Sequence, residues 1–224
     1  MSTVPASARD RLVAAAFDLF DVRGFDETTV DDIARAAGVG RTTFFRHFGS
    51  KEAVIFPEHD ELLARIAARL DAGDADSREV AVTEAARLVL RYYVGEGERA
   101  RIRYRLISTV PALKMREIAS IRQYQSLFAR ALSGWAAGDP DAVLRAELLA
   151  SAIVTAHNHV LRRWLRGEVD DPEDAFGHAM SVVLERVPQG RGEQGASETT
   201  VVVVRTGSAP DEVAAAVERA LRGQ

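Results

Sequence analysis

Between Thr29 and Lys51 the chain reads TVDDIARAAGVGRTTFFRHFGSK, with apolar residues at helical spacing on both sides of Gly38. Thr29 and Asp32 have the pattern of a capping box, in which a hydroxyl and a carboxylate reciprocally satisfy the first free N–H groups of a helix. Val30, Ile33, Ala34 and Ala37 make one apolar stripe behind them. Gly38 tolerates the left-handed backbone that ends a helix, Val39 plugs the core behind the turn, and a second helix is predicted to start at Gly40 or Arg41. In it Phe44 and Phe48, four residues apart, share the buried face. Two short helices joined by a tight turn form a helix-turn-helix.

The faces left over suit DNA. Arg41, Thr42, Thr43, Phe45, Arg46 and His47 lie on the unburied sides, and no acidic residue occurs from Arg35 to Lys51. Arginine forks onto guanine or phosphate, and threonine offers a methyl and a hydroxyl to base edges. Lys51, just past the helix, is placed to hold phosphate, and Thr29 completes the candidate DNA-contacting set. Asp31 suits the positive end of its helix but would repel phosphate, so it is expected to point aside. The competing reading is a plain helical hairpin whose arginines are a solvated face.

The segment GVGRTTFFRHFGSKEAV resembles the recognition segment of the tetracycline-repressor (TetR) family of bacterial transcription regulators. The similarity runs from about Arg11 to Val54 and includes AAAFDLFDVRGFDETTV, with its helix, glycine turn and aromatic in the family's order. The rest of the chain matches only in helical character and length. The resemblance implies an all-α homodimer that binds a near-palindromic double-stranded DNA operator and releases it when a small-molecule effector of unknown identity occupies the body. Two departures stand out. Gly40 replaces the family's usual serine, losing a side-chain cap worth roughly a few tenths of a kcal/mol. Phe45 replaces a tyrosine and cannot donate to phosphate, which shifts phosphate contacts toward His47 and Lys51.

Composition narrows the alternatives. The 224 residues, 47% hydrophobic and 28% charged, have the balance of a globular protein. The absence of cysteine excludes disulfides, thiol redox sensing and cysteine-ligated zinc. A net charge of −4 argues for a local basic surface on an acidic body. No run approaches the roughly 18 apolar residues of a membrane span, and the first residues lack a secretory core, which points to the cytoplasm and no membrane partner.

In chain order, Ser7 with Asp10 forms a capping box for a support helix that completes a three-helix DNA-binding head over residues 7–51. Such a unit is too small to be very stable alone. Residues 52–187 are predicted to form the ligand-binding and dimerisation body. A helix at SKEAVIF is interrupted at Pro57, as a hinge or as a plain helix end, before EHDELLARIAARLD resumes the pattern. About five long helical patterns follow Ser77. The final two carry Leu149, Ile153, Val160, Ala179 and Val183, the candidate dimer interface, with monomer core as the alternative. Residues 188–198 read as a flexible linker and 199–224 as a strand-helix (β-α) extension of unknown role, a competing view being a disordered tail. The runner-up function is a dimer acting through protein–protein contacts of that extension.

Tyr93, Tyr104, Tyr124, His157 and Trp164 are the candidate pocket residues, although aromatics at helical spacing are usually plain core. Most of Arg99, Arg101, Arg103 and Arg105 are expected to face solvent; an inward pair would favour an anionic ligand. His157 and His159, two apart, are poorly placed for a shared metal. No nucleotide loop, nucleophile elbow or paired carboxylate argues for catalysis, and no cofactor or metal is expected.

Overall fold

The computed structural model describes residues 7–56, 59–74, 76–135 and 141–186. Among them are nine α-helices and one 3-10 turn, and no strand. Residues 187–224, on which the predicted linker and β-α extension fall, lie outside the described residues.

Local chemistry sets the head. Ser7 Oγ accepts from the Asp10 N–H at 3.1 Å while the Asp10 carboxylate accepts from the Ser7 N–H at 3.1 Å, opening α1 (Ala8–Arg23). The helix stops at Gly24, and Phe25 folds back against Phe20, ring centroids 5.2 Å apart. Thr29 and Asp32 make the second box and start α2 (Val30–Ala36). Its end is a Schellman turn: Val39 N–H bonds the Ala34 carbonyl at 2.9 Å, Gly38 N–H bonds the Arg35 carbonyl at 3.1 Å, and Gly38 sits at φ +66°. Helix α3 (Arg41–His47) begins at Gly40 with no side-chain cap.

The apolar faces of α1 to α3 close on Leu12, Phe20, Ile33, Phe44 and Phe48. Leu106, Ile107 and Leu113, from much later in the chain, belong to the same core. The small head is thus completed by body residues, which answers its shortage of buried surface. The helix expected at SKEAVIF is only a 3-10 turn, Glu52–Val54. Pro57 follows in the sequence and disfavours helical backbone at the residue before it.

The body comprises α4 (His59–Asp71), α5 (Arg78–Glu96), α6 (Glu98–Thr109), α7 (Pro111–Gly134), α8 (Ala142–Leu165) and α9 (Pro172–Arg186). Helices α5 and α6 are separated by Gly97 alone, whose φ of +56° few other residues would adopt. Pro111 and Pro172 each open a helix, where a missing N–H costs nothing. The body core centres on Ile66, Leu90, Phe128, Ile153 and Phe176. No helix of the described residues is long and apolar enough to cross a membrane.

Leu149, Ile153 and Val160 face this core, at 5%, 0% and 2% exposure, so they pack within one chain instead of presenting themselves to a second. Val183 is also buried and Ala179 half-buried. Helix α8 carries two apolar faces, and periodicity alone does not say which one the chain covers itself. The apolar side chains left exposed on α8 and α9 are Val143, Leu144, Leu148 and Val182.

Candidate nucleic-acid interface and the cavity behind it

Helix α3 buries Phe44 and Phe48 and turns the opposite side outward. Arg41, Thr42, Phe45, Arg46 and His47 are exposed and Thr43 half-buried. Thr29, also exposed, spends its hydroxyl on the cap of α2. Asp31 does not point aside. Its carboxylate takes the Arg41 guanidinium at 2.8 Å across the turn, and the same guanidinium lies 5.2 Å from the Phe45 ring centroid. The pair is exposed on both sides, so it orients Arg41 more than it stabilises the fold. Phe45 thus serves as a platform for the arginine.

Lys51 departs from its expected role. Its ammonium donates to the carbonyls of Phe25 at 2.7 Å and Thr28 at 2.9 Å and lies 4.1 Å from the Phe25 ring centroid. Two of three ammonium protons therefore fasten the loop between α1 and α2, leaving at most one for phosphate. With Lys51 turned inward, Arg41, Arg46 and His47 are the basic groups α3 offers to a backbone.

Behind the head lies a cavity of about 80 Å³ between α5, α6, α7 and α8. Tyr93, Tyr104, Tyr124 and His157 line it; Trp164 does not, packing in the core with the Arg101 guanidinium 5.2 Å from its ring. Asn158, which the sequence offers beside His157 as a polar group for an apolar pocket, and Arg103 are in the wall, together with Glu117 and Ser120, which sequence reading missed. His157 is 7% exposed, with Nδ1 3.2 Å from the Asn158 Oδ1 and no hydrogen-bond partner for Nε2 among the described residues. Burial pulls its pKa down to about 4, against the weaker opposing effect of Asn158, so the ring is neutral at physiological pH. Burial also pushes the Glu117 carboxyl up, with Arg162 and Lys114 acting the other way.

Arg103 is the exception in a cluster whose other members keep solvent exposure, being only 4% exposed. Its guanidinium is gripped by both oxygens of Glu96, one contact at 2.8 Å, and its Nε–H donates to the Ile55 carbonyl. It also lies over the rings of Phe17 in α1, at 5.4 Å, and Tyr93, at 5.5 Å. One side chain therefore forms part of the cavity wall and contacts two pieces of the head. The local sequence signal was Glu96, seven residues back across the Gly97 turn.

Comparison with known proteins covers both halves of this arrangement. Residues 12–56 match the family described as bacterial regulatory proteins, tetR family, and residues 77–188 match the MftR C-terminal domain. The chain is 33% identical over 198 residues to a Mycobacterium tuberculosis protein named as a mycofactocin biosynthesis transcriptional regulator, MftR, covering 84% of this chain and 94% of that one. It is 30% identical over 170 residues to the HTH-type transcriptional regulator TcmR of Streptomyces glaucescens, covering 72% and 75%. Among solved structures, the SmeT–triclosan complex superposes with a TM-score of 0.61 at 19% identity, covering 83% of this chain and 94% of that one. Thermus thermophilus FadR in complex with lauroyl-CoA does so at 0.51 and 23%, covering 84% and 98%. At these identities the structures support the fold alone.

Proposed function

The chain belongs to the TetR family of bacterial transcriptional regulators, and from that premise we propose that it is a cytoplasmic homodimeric repressor, freed from a near-palindromic operator when a small molecule occupies the cavity. Two copies joined through the exposed apolar residues of α8 and α9 would present two α3 helices to successive major grooves, whose half-sites lie about 34–36 Å apart. Arg41, steadied by Asp31 and Phe45, is the base-reading arginine; Arg46, His47 and Thr42 fix the register on the backbone.

The observation that carries the effector reading is Arg103. It lines the cavity and holds the Ile55 carbonyl at the base of the head, so an occupant that shifts Arg103 pulls directly on the segment leading out of the helix-turn-helix. A coupling of about 1–3 kcal/mol changes DNA affinity roughly 5–150-fold. Triclosan in the SmeT structure and lauroyl-CoA in the FadR structure are unlike molecules on one fold, so ligand choice rests with the residues of the wall.

The test is a fluorescence-anisotropy titration of the protein onto duplex DNA from upstream of its own gene, against scrambled duplex, at two salt concentrations. Selective binding with one dimer per site supports the reading, and Arg41→Ala should remove most of the selectivity. Equal, salt-labile binding to both duplexes, with no selectivity for Arg41→Ala to remove, would count against it.

A further inference from the structure

We infer that the body cavity takes a compact neutral molecule, aromatic or otherwise apolar, that donates one hydrogen bond to His157 Nε2, and that it rejects carboxylates and other anions. The effector role of such a molecule rests on the reading above; its chemistry rests on the wall.

Three features of the wall point the same way. The first is the tautomer of His157. Nδ1 faces the amide oxygen of Asn158 at 3.2 Å, and a neutral imidazole satisfies that contact only with its proton on Nδ1. Nε2 then presents a bare lone pair, buried and without a partner among the described residues. Buried acceptors are rarely left so, and the cavity His157 lines is where a donor fits.

The second feature is charge. An anion entering the cavity needs a cation to replace its lost water. Arg103 is held by both oxygens of Glu96, and the neutral His157 supplies no charge. Glu117 in the same wall repels an anion when ionised. The third is size and surface. About 80 Å³ bounded by Phe56, Tyr93, Tyr124, Phe128 and Ile153 is small and mostly apolar, which limits the occupant to a compact apolar molecule.

The experiment is a ligand-observed NMR titration of the full chain, without DNA, using phenol, toluene, benzoate and benzylamine. Phenol and toluene have nearly the same shape, so their difference isolates the donor. Phenol is expected to bind roughly two- to tenfold tighter than toluene, the worth of one net hydrogen bond. Benzoate is expected to bind at least about tenfold more weakly than phenol, because its charge is buried unpaired. His157→Leu should abolish the advantage of phenol while keeping toluene binding, and His157→Gln, which retains an acceptor, should restore part of it. Where His157→Leu does not fold, Asn158→Leu gives the same reading, since without the amide oxygen the Nε2 lone pair is no longer enforced. Equal binding of phenol and toluene, tightest binding of benzoate or of benzylamine, or no binding of any probe would overturn the inference. Because binding is read without DNA, a probe that behaves as described yet leaves an operator complex intact would break the effector reading and leave this one standing.

Discussion

In the head, hydroxyl and charged groups work at short range near the surface: Ser7 with Asp10, Thr29 with Asp32, and Asp31 with Arg41 across one turn. In the body, Arg103 and His157 are 4% and 7% exposed, and each meets partners inside the protein. The capping groups of α1 and α2 and the Asp31–Arg41 pair are satisfied before anything binds, which fixes the frame from which α3 projects. The body keeps a buried ion pair and, at His157 Nε2, a ring nitrogen without a hydrogen-bond partner among the described residues, so its free energy responds to what enters it or to a change of pH.

The sharpest way to break that contrast is at Arg103. Arg103→Met strands the Glu96 carboxylate, itself only 14% exposed, and removes the donor to Ile55. Breaking one side of a buried pair is expected to cost roughly 3–5 kcal/mol in urea unfolding. Adding Glu96→Gln should recover much of the loss, since the unpaired charge is then gone. Arg41→Ala, which breaks an exposed pair, should cost no more than about 1 kcal/mol. Similar losses for the two variants would show that head and body do not differ in this way.

Next in size is the pH dependence of His157. Its folded pKa of about 4 lies below the ordinary 6.5, so between those values the unfolded chain holds a proton that the folded chain does not. Stability tied to this group is therefore full above about pH 6.5 and falls as pH drops through the window, by about 3 kcal/mol at pH 4. The carboxylates of Asp10 and Asp32 have pKa values lowered by their capping hydrogen bonds, so their stabilisation disappears only at and below the ordinary carboxylate range. Thermal melts from pH 7.5 to 5 should thus show a decline that His157→Leu flattens. A decline unchanged in that variant would move the pH-sensitive group elsewhere.

Lys51→Ala tests the head's own long-range tie. Loss of two charge-assisted bonds to the Phe25 and Thr28 carbonyls should destabilise by about 2 kcal/mol, read as a shift in urea midpoint. If instead stability holds and binding to all DNA sequences weakens alike, Lys51 acts on phosphate as its position in the sequence suggested.

What could be read from the sequence follows sequence distance. Both capping boxes, the Gly38 turn and the Phe44/Phe48 face join residues three or four apart, where side-chain type and spacing nearly dictate the contact. Lys51 reaches back 26 and 23 residues to its carbonyls, and Arg103 reaches 48 to Ile55, distances at which no local pattern names the partner. Of the pocket set, Tyr93, Tyr104, Tyr124 and His157 line the cavity while Trp164 does not, because helical period gives a face but not what lies opposite it. The same ambiguity put Leu149 and Ile153 at an interface when the chain buries them itself.

The smallest effect probes how complete the head is. Gly40 caps α3 in extended backbone, φ −83° and ψ 157°, and a Cβ there meets nothing within 4 Å. Gly40→Ser is therefore free of strain, and its hydroxyl can accept from the N–H of Thr42 or Thr43 in the first turn. The expected gain is a few tenths of a kcal/mol in urea unfolding, with slower amide exchange at Arg41–Phe44 only by the same small factor. A gain above about 1 kcal/mol, with strongly increased protection of that turn, would mean that α3 frays before DNA arrives. The recognition surface would then be ordered partly by its operator, and the head would join the body as a region completed by what it binds.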